Sequence, residues 1–354
     1  MKTRAFVSSI LAISLLLTVF VSNAICAEDN APQRPPQRGP MPGGRGLFGD
    51  WNLKVKFGEW EMDAILSFSR DEEGSLTADW ISFWGVNKLQ DVKFEEGKLS
   101  FVQEIKFGDN EFRNTFKGTI EEDKLTGVLS GERGDSDVTG QRAPRMRRNT
   151  GIWELKYTIG DRDITSTLIL KADDEGELKA EWKNDQAPST ISNLNYQRGI
   201  ITFDRKTKMG DKELDSTFEG TIDRRTGDLT GTIKSDKGSL SAKGTRIGGV
   251  VIGIWNLDIT TDRGTVQQRL VVNPDLSGLY GTMKLDAVKL DGDTMSFKIT
   301  WEFDQRTFEM KFKGKVTDNK LTGEITSDHG TQKVEGAKQQ RRMPRGRMNR
   351  PMQD

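Results

Sequence analysis

A single pattern of roughly 100 residues occurs three times in this chain, and a repeat of that period means three similar folded units rather than one composite body. Each copy opens on Gly-x-Trp: Gly49-Asp50-Trp51, Gly151-Ile152-Trp153 and Gly253-Ile254-Trp255, with successive tryptophans 102 residues apart. Phe-x-Gly follows at Phe116/Gly118, Phe218/Gly220 and Phe312/Gly314. Leu-Thr-Gly comes next, at Leu125 to Gly127, Leu229 to Gly231 and Leu321 to Gly323. The first two copies end on Arg142 and Arg246; the third ends on Lys338. Copy three is also shorter in its middle, between Leu279 and Phe297, which predicts a reduced hairpin there.

Within a copy the apolar period is two. Trp51, Leu53, Val55 and Phe57 alternate with polar residues, and glycine-bearing turns interrupt such runs every eight to twelve residues. That is strand and hairpin patterning, with one face of each strand buried. No long 3.6-residue period competes with it. The expected fold is all-β: three tandem antiparallel up-and-down barrels of about eight strands each, with a two-sheet sandwich as the competitor.

The expected divisions follow. Residues 1–27 read as a secretory signal: Lys2 and Arg4 precede an apolar run from Ala5 to Val21, and Ser22-Asn23-Ala24 offers small residues for cleavage. Residues 28–47 form a Pro/Gly/Arg-rich segment. The copies are 48–142, 151–247 and 253–338, joined by a basic linker at 143–150 and a short one at 248–252. The first linker predicts independent movement of copies one and two. The second, short and apolar, predicts packing of copies two and three. Residues 339–354 are an Arg/Met/Pro-rich tail. Arginine-rich segments without apolar content do not fold alone.

An exported, periplasmic or extracellular protein is therefore expected, with no transmembrane segment once the signal is removed. The sole cysteine, Cys26, lies in the signal region, so the mature chain has no disulfide. No Asn-x-Ser/Thr acceptor is present, which fits a bacterial source. Charges balance at 53 basic against 53 acidic, which gives no general affinity for nucleic acid. The Arg-rich tail is the one segment suited to an anionic envelope polymer.

Gly-x-Trp on the first strand with Arg on the last resembles the signature of the calycin group: lipocalins, fatty-acid-binding proteins and avidins. The likeness rests on about four residues per copy. It implies small up-and-down barrels in which the basic residue covers the tryptophan at barrel closure: Arg142 over Trp51, Arg246 over Trp153, Lys338 over Trp255. It transfers no ligand.

The chemistry-bearing residues are few. His329 is the only histidine, and neither sister copy has one at its turn, so a Ser-His-Asp reading is set aside; no catalytic residue, metal or cofactor is assigned. Acidic turns beginning at Asp71, Asp173 and Asp291 read as solvated turns. The expected ligand-binding residues are Trp60, Trp80, Phe83 and Trp84, aromatics concentrated in copy one, with Gln103, Arg205 and Trp301. The last three sit on one corresponding strand face: Phe101-Gln103-Ile105, Phe203-Arg205-Thr207, Phe297-Ile299-Trp301. If that face points inward, Arg205 is a buried cation in want of an anion. The favoured function is a non-enzymatic binding or scaffolding protein for an apolar, sugar-ring or anionic small molecule. The alternatives are a carboxylate-dependent hydrolase or isomerase acting through Asp79 or Glu104, and a structural envelope protein acting through basic tails.

Overall fold

The computed structural model describes residues 46–339 except 108–109, 174 and 304–305. The expected signal, most of the Pro/Gly/Arg-rich segment and the tail from 340 lie outside the described residues. All described regular structure is strand.

Copy one contains β1 (Gly49–Phe57), β2 (Trp60–Arg70), β3 (Leu76–Ser82), β4 (Gly85–Lys88), β5 (Gln90–Glu95), β6 (Lys98–Phe107), β7 (Asn110–Glu121), β8 (Lys124–Gly131) and β9 (Gly134–Arg142). Copy two contains β10 (Gly151–Ile159), β11 (Arg162–Ala172), β12 (Leu178–Lys183), β13 (Ser189–Gln197), β14 (Ile200–Met209), β15 (Lys212–Ile222), β16 (Leu229–Ser235) and β17 (Gly238–Arg246). Copy three contains β18 (Gly253–Thr261), β19 (Gly264–Val272), β20 (Gly278–Tyr280), β21 (Met283–Lys284), β22 (Lys289–Asp291), β23 (Thr294–Phe303), β24 (Arg306–Thr317), β25 (Lys320–Ser327) and β26 (Gly330–Lys338).

Each copy is one antiparallel meander whose last strand returns to its first: β9 on β1, β17 on β10, β26 on β18. The sheets are barrels, not sandwiches. Two close almost completely and one is a half-barrel. The sheet edges in copy one, β4 and β5, are consecutive pieces of chain separated only by Leu89. In copy three the wall made by β20, β21 and β22 shrinks to strands of three, two and three residues, where the sequence is short.

The anchor motifs have a packing cause. Gly118 opposes Gly127 across β7 and β8, and the Phe116 ring lies over both. A Cβ on Gly118 would stand 2.5 Å from that ring, and one on Gly231 would stand 2.5 Å from Phe218. The bare backbone lets each phenylalanine lie flat and stack on its cross-strand partner: Phe101–Phe116 at 4.6 Å, Phe203–Phe218 at 4.9 Å and Phe297–Phe312 at 4.8 Å. These pairs sit inside three separate apolar clusters, one per barrel.

The tryptophans of Gly-x-Trp are fully buried and close one end of each barrel. Arg142 lies over Trp51 at 4.5 Å, Arg246 over Trp153 at 4.8 Å and the Lys338 ammonium over Trp255 at 5.2 Å. Arg142 also donates to the carbonyls of Gly46 and Phe48 and to Asp123. Lys338 reaches a single carbonyl, Val250 at 2.7 Å. Burial lowers the pKa of both Arg246 and Lys338. The plug draws residues 46–48 into the fold, since the Trp51 indole donates to the Leu47 carbonyl. The end of the expected flexible segment therefore belongs to the barrel.

The linkers depart from expectation in one respect. Val251, in the 248–252 linker, is wholly buried in the third barrel's cluster, and Ile152 and Ile247 of copy two pack against that cluster. The basic linker, expected to be free, is held to copy two: Arg147 donates to the Gly176 carbonyl, and the Arg148 carbonyl accepts from Arg246. The Arg147 charge thus serves as a donor to a carbonyl at a turn.

Candidate ligand site

Because neighbouring strands are antiparallel, turns alternate between the two ends of a barrel. One end carries the tryptophan plug. Along β14, Phe203 sits in the aromatic layer, and Arg205 and Thr207 follow toward the opposite end. Residues 203, 205 and 207 face inward by strand alternation, and all three are buried.

Arg205 is 8% exposed. Its guanidinium lies 4.4 Å from the Trp182 ring of β12, and its Nε donates to Ser216 Oγ at 3.1 Å. The Tyr157 hydroxyl lies close by and favours the charged form. Tyr157 in turn meets Ser166 at 3.0 Å, and Asn184 donates to Ser166 at 3.0 Å. Ser189 and Thr207 are paired at 2.9 Å beside them. Burial lowers the arginine's pKa, with Tyr157 opposing; an arginine so placed stays charged at neutral pH. Among the described residues no carboxylate forms an ion pair with it. The second barrel thus holds a cation solvated by hydroxyls and one indole face.

The corresponding positions in the other barrels are graded. Gln103 in copy one is 3% exposed and accepts from Asn114 at 3.2 Å. Nearby Asn87 donates to the Glu104 carbonyl, and its own Oδ1 is buried without a partner. Ile299 in copy three is buried in apolar surroundings. The three interiors are amide, cationic and apolar at one common level. That difference lies in residues the fold leaves free, because the plug and the phenylalanine layer are shared.

The expected aromatic residues do not form one site. Trp80 belongs to the first barrel's core, 6.1 Å from Phe101, as its counterpart Trp182 belongs to the second. Trp60 and Trp84 are 71% and 72% exposed, on the turns of the end away from the plug. Phe83 sits 5.5 Å from Trp301, and Trp301 stacks on Phe308 at 5.5 Å. Copies one and three therefore touch. Arg269 of β19 binds Asp50 through both nitrogens at 3.1 and 3.0 Å, and Gln268 donates to the carbonyls of Ser82 and Phe83, each at 3.1 Å. This contact was missed in the sequence, although it left a signal. Ile65 and Ile81, opposite each other on the outer face of β2 and β3, have polar counterparts in copy two at Thr167 and Lys183.

The acidic turns serve themselves. Asp71 accepts from the amides of Glu73 and Ser75, and Asp173 from the amide of Glu177. Asp79, set apart as a catalytic alternative, is half-buried beside Lys88, Arg269 and Asp50, and burial raises its pKa. Glu104 is engaged by Gln90 and Arg113.

No protein family and no curated protein matches the chain. Solved structures with some likeness include transferrin-binding protein B from Haemophilus parasuis, at 10% identity and a TM-score of 0.20, covering 85% of this chain and 77% of that one. A protein of unknown function from the DUF3598 family of Nostoc punctiforme gives 11% identity and a TM-score of 0.21, covering 83% and 96%. At these scores the likenesses carry no argument about function.

Proposed function

We propose that this chain is an exported, non-enzymatic binding protein whose second barrel receives the anionic head of a small ligand at Arg205. The observation that carries the reading is the guanidinium buried among Trp182, Tyr157 and Ser216 with no ion-paired carboxylate among the described residues. A buried charge costs several kcal/mol unless a counter-charge or good hydrogen bonds offset it. A ligand carboxylate or phosphate supplies the missing charge and matches the planar fork bidentately. Export rests on the N-terminal signal pattern.

The test is native mass spectrometry of the mature chain purified gently from its envelope. A bound anionic mass, released on denaturation and absent from an Arg205→Met protein, supports the reading. A clean apo mass, together with no measurable binding of dodecanoate or inorganic phosphate to the wild-type chain, overturns it.

A further inference from the structure

The contact between copies one and three uses corresponding places on the two barrels. Trp51 pairs with Leu66 and Trp255 with Leu270, so Ile65 corresponds to Arg269; likewise Ile81 corresponds to Gly281. Ile65 and Ile81 face outward, outside the first barrel's interior cluster, yet are only 4% and 1% exposed. Arg269 is buried and holds Asp50 bidentately. A Cβ on Gly281 would stand 2.6 Å from the Ser82 carbonyl, and one on Gly85 would stand 2.8 Å from the Gln267 carbonyl. Both glycines have positive φ, so the two backbones approach where a side chain fits neither sterically nor conformationally. Copy two carries exposed Lys183 where copy one has Ile81, and it takes no part.

The surfaces share no strand, and one donor, Arg269 Nε, is buried without an acceptor. The contact is thus a docking of finished barrels, held short of full hydrogen bonding. We propose that it is an exchangeable docking surface whose second partner is another copy of this chain: copy one of one molecule takes copy three of another, through the same residues that close a single molecule on itself. Exchange needs no new surface, because each of two opened chains offers both halves of the contact and the pair closes on itself. Within one chain the linkers hold the two patches at an effective concentration of order mM. The closed single chain therefore dominates in dilute solution, and exchange takes over where chains are crowded or anchored together.

Charge reversal tests this on the full chain. Asp50→Arg alone sets two arginines against each other, and Arg269→Asp alone sets two aspartates against each other. Mixed one to one, the two variants offer complementary pairs only between chains. The expected result is a heterodimer in the mixture, seen by native mass spectrometry and light scattering, more than tenfold enriched over either variant alone. The Asp50→Arg/Arg269→Asp double variant should return to a closed monomer. Isotope-labelled and unlabelled wild-type chains, unfolded and refolded together at concentrations approaching the linker's effective value, should give mixed-label dimers. Folded single variants that stay monomeric when mixed, or wild-type chains that yield no mixed-label dimer, overturn the proposal.

Discussion

Replacing Arg205 with methionine separates a binding residue from a structural one. The guanidinium gains about 2 kcal/mol from the buried Trp182 face. Its hydrogen bond to Ser216 contributes about 1.5 to 3 kcal/mol. Against these stands the effective cost of burying an ion without a counter-ion, itself several kcal/mol. Arg205→Met removes both sides and adds burial of an apolar side chain, about 1.5 to 3 kcal/mol. The groups left behind keep partners. Ser216 still donates to the main-chain carbonyl of residue 205, and Tyr157 still meets Ser166. The expected outcome is a ligand-free protein more stable by about 1 to 3 kcal/mol, in the range seen when buried charges are replaced by apolar side chains. Dodecanoate affinity should fall at least about tenfold, the usual trade between stability and function. Urea unfolding at neutral pH followed by tryptophan fluorescence, paired with calorimetric titration, reads both. A loss of more than about 2 kcal/mol with unchanged binding would refute the reasoning, because Arg205 would then be part of the barrel's framework.

Three further outcomes follow from the packing. Gly127→Ala places a methyl group against the Phe116 ring and 2.6 Å from the Lys117 carbonyl, and should destabilise the chain by about 1 to 3 kcal/mol in urea melts. Lys338→Arg adds donors at a plug where lysine reaches one carbonyl; thermal unfolding should show a gain of about 0.5 to 1 kcal/mol. Asp79→Asn tests the acid at the barrel contact. Burial raises the Asp79 pKa above its unfolded value, so its charge opposes folding at neutral pH, and the penalty fades as pH falls through the folded pKa. The asparagine variant should be the more stable at pH 7, with the difference shrinking on acidification; a constant difference across that range would contradict the assignment.

What the sequence decided was the local and repeated part of the structure. Period-two strands need only short-range alternation; Gly-x-Trp recurs with a glycine at positive φ in each copy, and Phe-x-Gly and Leu-Thr-Gly recur because a flat phenylalanine needs bare backbone beside it. That same alternation put Arg205 on one face with Phe203 and Thr207; that this face points inward was decided by the structure. Tertiary structure decided what covers outward faces and rims. Phe83 looked like a ligand-stacking residue because aromatics concentrate in copy one, and Trp301 because of its strand face; only the approach of the first and third barrels brings the two to 5.5 Å. Asp50 and Arg269 stand 219 residues apart, and no local pattern links them. Ser216 faces Arg205 across the β14–β15 hairpin, but Tyr157 and Ser166 belong to the β10–β11 hairpin and come near Arg205 only when the sheet curls.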